Sequence, residues 1–219
     1  MQVRESLYAV ERMTAMNVDF IFDFASPNAY LCHKAITELE KNHEVKFNYI
    51  PCLLGGIFKL TNNQAPMIAF GEIPNKMKYE FDTAFNRFLK QHQIENFCMN
   101  EHFPVNTLLI LRGAIVAQKN NFFESYVDVV MIGMWERSLK LDNAETLHEL
   151  LTQYDCHADL LIEQISNPEI KAELINNTNQ AVEKGVFGIP SFFIDDELYF
   201  GKESLREIKD MLLESSETF

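Results

Sequence analysis

The chain has no C-x-x-C pair, no run of about 20 apolar residues and no excess of basic residues, and each absence removes a class of function. Its four cysteines, Cys32, Cys52, Cys98 and Cys156, are scattered, without the spacing of a zinc knuckle or a dithiol redox motif. Scattered thiols suit a reducing compartment, so all four are expected to be free, buried, small hydrophobes, and the protein cytoplasmic. No membrane span is expected, and the opening MQVRESLYAVERMTAMNV lacks the apolar core of a secretory signal. The 32 acidic residues outnumber the 19 basic ones, for a net charge of −13. A surface that negative repels phosphate backbones and anionic bilayers, which argues against nucleic-acid and membrane partners.

What is present is a core. Hydrophobic residues make up 47% of the 219, with 18 Phe, ample apolar surface for a globular fold. From Val18 to Phe24, VDFIFDF alternates like a strand and stops at Ser26-Pro27. Ser is a favoured N-cap and Pro fits the first helical turn, so NAYLCHKAITELEKNH is read as a helix starting at Ser26. VKFNYIP (45–51) is the next strand, closing a βαβ unit with a parallel pair. From about Ile57 to Asn167 the segments KMKYEFDTAFNRFLKQHQ, VNTLLILRGAIVAQKN, NFFESYVDVVMIGMWERS and AETLHELLTQYDC carry helical spacing. The chain then reads as a helix over AELINNTNQAVEKG closed at Gly185, strand SFFID, a turn at Asp195-Asp196, strand ELYF and a terminal helix.

The fold class expected is therefore α/β: a thioredoxin-like fold, βαβ followed by αββα, with a large all-helical insertion. Residues 17–56 and 176–219 are assigned to the two thioredoxin-like halves, 57–175 to the helical insertion, and 1–16 to an N-terminal extension, disordered or preceding a later start at Met13 or Met16. His33 and His92 are expected in structural roles, with no partner at triad-like positions in the sequence. Trp135 is read as a core or dimer contact, and the Asn pairs at 62, 120 and 176 as loop or cap residues.

The strings FDFASPNAY (22–30), LGGIFKLTNNQAP (54–66), PNK (74–76), HFPVNTLLILRGA (102–114) and GVFGIPSFFIDDELYFGKESL (185–205), in this order, resemble the 2-hydroxychromene-2-carboxylate isomerase and kappa-class glutathione transferase family. The resemblance implies a DsbA-like thioredoxin fold, a homodimer, and glutathione held between the two parts. It implies that Ser26 contacts the glutathione sulfur, that Asn63 and Lys76 reach the peptide from the helical part, and that Ile189, before a cis Pro190, pairs with its backbone. Lys202 and Glu203 fall where family members bind the γ-glutamyl end. The sequence departs from the family pattern at Glu203, usually Asp, at Ser204, often Arg, at Asn28, often aromatic, and at Ala84 and Phe88, near which relatives often carry Asp and Trp.

The chemistry expected follows from sulfur. A thiol is mostly protonated at neutral pH, and a helix N-terminus with a hydroxyl donor favours its anion. Ser26 is therefore expected to stabilise a visiting thiolate, which adds to an electron-poor carbon of an unsaturated, often aromatic, small-molecule substrate. Isomerisation by reversible addition and conjugation to an electrophile are both open, as is a glutathione-binding module without turnover. A disulfide oxidoreductase, the reading from the redox class, is disfavoured, because Ser26 and Ala29 stand where the dithiol would be.

Overall fold

In the computed structural model, residues 15–217 are described; the expectation for residues 1–14 lies outside them. Strand β1 (Met16–Phe22) is followed by helix α1 (Pro27–Asn42) and strand β2 (Val45–Pro51). A series of helices comes next: α2 (Leu54–Thr61), α3 (Pro66–Ala69) and α4 (Pro74–Lys78), a π-helical stretch (Tyr79–Ala84), then α5 (Phe85–Gln91), α6 (Leu108–Lys119), α7 (Phe123–Trp135), α8 (Ala144–Gln153), α9 (Ala158–Gln164) and α10 (Pro168–Glu183). Strands β3 (Ser191–Ile194) and β4 (Glu197–Phe200) and helix α11 (Ser204–Glu217) complete the chain.

The four strands form one mixed sheet in the order β2-β1-β3-β4. The β1–β2 pair is parallel, running from Met16 opposite Val45 to Phe22 opposite Pro51, while β3 is antiparallel to both β1 and β4. The apolar alternation of β1 explains this register. Phe20 faces Phe192 of β3, their rings stacked at 5.0 Å, and Val18, Phe20 and Phe22 are fully buried. This is the expected DsbA-like thioredoxin sheet, with the helical block between its halves.

Several elements differ from the sequence reading, each for a physical reason. Helix α2 was not foreseen, since Gly55 and Gly56 lower its intrinsic propensity; tertiary contacts through buried Ile57 and the Leu54 N–H support it instead. Helix α9, only seven residues, is too short for periodicity to register. Helix α10 begins at Pro168 rather than Ala172, capped by Asn167, whose Oδ1 accepts from the Glu169 N–H at 2.9 Å. Asn176 therefore sits inside a helix, not in a loop. Both boundaries drawn from sequence, at 56/57 and 175/176, fall within continuous helices, α2 and α10, and one hydrophobic core runs from Phe20 through Trp135 to Leu174.

The four cysteines are free; Cys32, Cys52 and Cys156 are buried, but Cys98 is only half-buried, because it lies in the irregular stretch after α5. Trp135 is wholly in the core. Among the described residues no helix is long and apolar enough to cross a membrane, and no group of His, Cys, Asp and Glu is arranged to hold a metal ion.

Candidate active site

The site is built around the turn that links β1 to α1. Asp23, fully buried, organises it: Oδ1 accepts from the Ala25 N–H at 2.9 Å, Oδ2 from the Leu54 N–H at 2.8 Å, and the Thr107 hydroxyl donates as well. Burial pushes its carboxyl above the usual 3.8, against the pull of those three hydrogen bonds. One carboxylate thus fastens the start of α1 to the start of α2 and to the residue preceding α6. Sequence reasoning missed Asp23 and Thr107, although a charged residue inside the apolar run FDF, three before Ser26, was a usable signal.

Ser26 caps α1 as expected. It is 5% exposed, its Oγ accepts from the Ala29 N–H at 3.2 Å, and its hydroxyl donates to the Ile189 carbonyl at 3.3 Å, across 163 residues. The Ile189-Pro190 bond is cis. Three further hydrogen bonds hold this loop: Asn63 Nδ2 donates to the Phe187 carbonyl at 2.8 Å, the Ser191 hydroxyl to the Gly188 carbonyl at 2.8 Å, and the Gly201 N–H to the Pro190 carbonyl at 2.9 Å. Gly188 permits the close approach of Phe200, whose ring would stand 2.8 Å from a Cβ there.

Of the residues singled out from sequence, Ser26, Ile189, Pro190 and Asn63 are thus brought together around one loop. Lys202 and Glu203 follow directly on the Gly201 that binds Pro190, and they pair with each other, Lys202 Nζ to Glu203 Oε1 at 2.8 Å. The Lys202 side chain is only 4% exposed and that of Glu203 68%. Lys76 is exposed on α4, with Nζ 3.8 Å from the centroid of the Phe70 ring, and makes none of the hydrogen bonds described above. Asn28, one of the departures noted above, has its Oδ1 buried without a hydrogen-bond partner, two residues past Ser26. An orphaned acceptor at this depth is costly.

His33 has the partners that sequence did not supply. Its Nε2 lies 2.8 Å from Asp128 Oδ1 and its Nδ1 2.9 Å from the Tyr49 hydroxyl. Hydrogen bonding to His33 holds the Asp128 carboxyl below its ordinary value, although partial burial pushes it up. These groups line a cavity of about 730 Å³ beside β2 that does not include Ser26 or Ile189.

The arrangement at Ser26, a helix start with a hydroxyl facing the carbonyl before a cis proline, is that of a thioredoxin-type site without its cysteine. The chain belongs to the DSBA-like thioredoxin domain family, whose pattern matches residues 17–213. It is 28% identical over 193 residues to a 2-hydroxychromene-2-carboxylate isomerase of Pseudomonas sp. (strain C18), covering 86% of each chain. It is 22% identical over 207 residues to glutathione S-transferase kappa 1 of Rattus norvegicus, covering 89% of this chain and 90% of the relative. The crystal structure of a 2-hydroxychromene-2-carboxylate isomerase superposes with a TM-score of 0.79 at 21% identity, covering 93% of this chain and 97% of that one. The resemblance read from the residues is borne out at this level.

Proposed function

We propose that the chain is a glutathione-dependent isomerase of the 2-hydroxychromene-2-carboxylate type, with Ser26 as the residue that stabilises the glutathione thiolate. The observation that carries the reading is the Ser26 hydroxyl, at a helix N-terminus and 3.3 Å from the Ile189 carbonyl. The surroundings fit a small thiol peptide: a positive helix end, a loop backbone at Ile189 presented to an extended chain, and the orphaned Asn28 Oδ1 nearby. Asn63 and Lys76 from the helical part, Ile189 and Pro190 from the loop, and Lys202 and Glu203 beyond β4 complete the proposed glutathione contacts. The relatives named as isomerases and kappa transferases add weight to it.

When bound, glutathione supplies a sulfur nucleophile that adds to, and can later leave, an electron-poor carbon of an unsaturated aromatic substrate. The protein's part is to hold the proton off that sulfur. The Ser26 hydroxyl, donating to a neutral carbonyl in the structure, turns toward the sulfur, while the dipole of α1 lies behind it. Four free cysteines support a reducing, cytoplasmic setting. The proposal includes a homodimer, which sedimentation would test.

A kappa-like transferase is the second reading, favoured by the relatives that carry that name. One measurement separates the two: glutathione consumed per substrate converted is zero for an isomerase and one for a transferase. Saturable glutathione binding by calorimetry, abolished by Ser26→Ala together with Asn63→Ala, is the expected first result. Binding with no turnover on unsaturated aromatic acids or aryl halides points to a non-catalytic module, and absence of saturable binding overturns the proposal.

A further inference from the structure

Two consecutive residues at the end of α7 bracket Ser26 from a distance. Trp135, fully buried, donates from Nε1–H to the Phe24 carbonyl at 2.9 Å, two residues before Ser26. Glu136, at 12% side-chain exposure, uses a single oxygen for two residues of α1: Oε1 accepts from the Tyr30 hydroxyl at 3.0 Å and pairs with Lys34 Nζ at 2.7 Å. Tyr30 and Lys34 lie one helical turn apart on one face. Tyr30 is itself fully buried, and burial, then the neighbouring Glu136, drive its hydroxyl far above the usual 10.0, so it stays a donor at any working pH.

The corner that makes these contacts is fixed in turn. The Glu136 N–H closes α7 on the Ile132 carbonyl at 2.9 Å, and the Cys98 N–H donates to the Trp135 carbonyl at 2.7 Å. Asn100 Nδ2 donates to the Met134 carbonyl at 2.9 Å and to the Leu139 carbonyl at 3.0 Å. The Phe97 ring stacks on Trp135 at 6.0 Å. The start of α1 is thereby held from the helical side on both flanks of Ser26, while the loop carrying Ile189 is held at Phe187, Gly188 and Pro190 by Asn63, Ser191 and Gly201. The Ser26–Ile189 separation of 3.3 Å is long beside the usual O–H···O value of about 2.7–2.8 Å.

We infer that Trp135, Glu136 and Tyr30 are positioning residues of the site, holding the Ser26 hydroxyl where it can exchange the Ile189 carbonyl for a bound sulfur. The inference rests on the reading that Ser26 receives the glutathione sulfur. None of the three residues touches that sulfur. They act by fixing the main chain on either side of Ser26.

The test uses the full chain with Tyr30→Phe, Glu136→Gln, Glu136→Ala and Trp135→Phe. Each is titrated with glutathione, and the pKa of the bound thiol is read from thiolate absorbance. The kcat with a chlorodinitrobenzene as probe electrophile, the KM for glutathione and the thermal midpoint are recorded alongside. Glu136→Gln and Glu136→Ala lose the same charge, so a difference between them reports the lost acceptor rather than electrostatics. Glu136→Ala and Tyr30→Phe are expected to raise the bound-thiol pKa above that of Glu136→Gln and to lower kcat by about three- to tenfold, with KM within about twofold. A purely structural role lowers the thermal midpoint and leaves the thiol pKa alone. Should Trp135→Phe fail to fold, the other three decide. Equal thiol pKa and kcat across wild type, Tyr30→Phe and Glu136→Ala overturn the inference, whatever the midpoints. A wild type that shows no thiolate signal at saturating glutathione refutes the Ser26 reading instead, a result distinct from the first.

Discussion

Replacing Ser26 by Ala separates two roles that the structure assigns to one oxygen. As a donor, the hydroxyl reaches the neutral Ile189 carbonyl at 3.3 Å, a bond whose net worth is about 0.5–1.5 kcal/mol; directed instead at an anion, the same donor is worth about 1.5–3 kcal/mol. The exchange therefore favours the thiolate by about 1–1.5 kcal/mol, which at about 1.4 kcal/mol per pK unit lowers the bound thiol by about one unit. The helix-end contribution of about 0.3–1 kcal/mol survives the substitution. Ser26→Ala should thus bind glutathione with a thiol pKa about one unit higher than wild type, still below that of the free peptide. As an acceptor, Oγ caps the Ala29 N–H at 3.2 Å, and losing the cap costs about 0.5–2 kcal/mol of stability. Ultraviolet titration of the bound thiolate and chemical denaturation read the two effects independently. A destabilised variant whose bound thiol titrates like that of wild type would reduce Ser26 to a helix cap and refute the reasoning.

Other perturbations test the frame around it. Because the folded-state pKa of Asp23 is raised, its carboxyl contributes stability that is full below its unfolded value and is lost as pH rises through the folded value; wild type should therefore lose stability relative to Asp23→Asn over that rise, and a flat or reversed difference in denaturation midpoints contradicts the burial argument. Asn28→Leu removes the orphaned Oδ1 and should stabilise the unliganded protein by about 1 kcal/mol, while raising the glutathione KM if a ligand N–H normally satisfies that oxygen. A Cβ at Gly113 would collide with the hydroxyl of Tyr126, a fully buried side chain that donates to the Ile110 carbonyl at 2.8 Å. Gly113→Ala should cost about 1–3 kcal/mol, measured by thermal unfolding, and a Tyr126→Phe background should recover part of it.

What could be read from the sequence was local. The alternation of VDFIFDF and VKFNYIP, the Ser-Pro break and the strand pair flanking Asp195-Asp196 each lie within about ten residues, where periodicity and turn chemistry speak directly. Long-range pairs did not announce themselves. Asp23 meets Leu54 at a separation of 31 residues and His33 meets Asp128 at 95, and no spacing rule links them; packing of α1 against α7 and of the β1 turn against α2 decides them. Ser26 and Ile189 are paired from sequence only through a family resemblance, not through anything in the chain between them, at a separation of 163.

Lys202 and Glu203 show how far side-chain identity alone can carry an argument. From sequence they are two adjacent polar residues at the head of a helix, each available to a ligand. In the fold, the lysine stem is packed away and its ammonium lies 2.8 Å from Glu203 Oε1, so the carboxylate is already partly neutralised before any ligand arrives. An ammonium approaching Glu203 alone meets that lysine charge as well, whereas an amino-acid end, carrying both a carboxylate and an ammonium, meets a matched pair. The burial of Lys202 and its pairing with Glu203, which sequence could not disclose, therefore turn two separate candidate contacts into one dipole. On the proposed function, that pair is expected to favour the intact γ-glutamyl end of glutathione over a simple thiol lacking it.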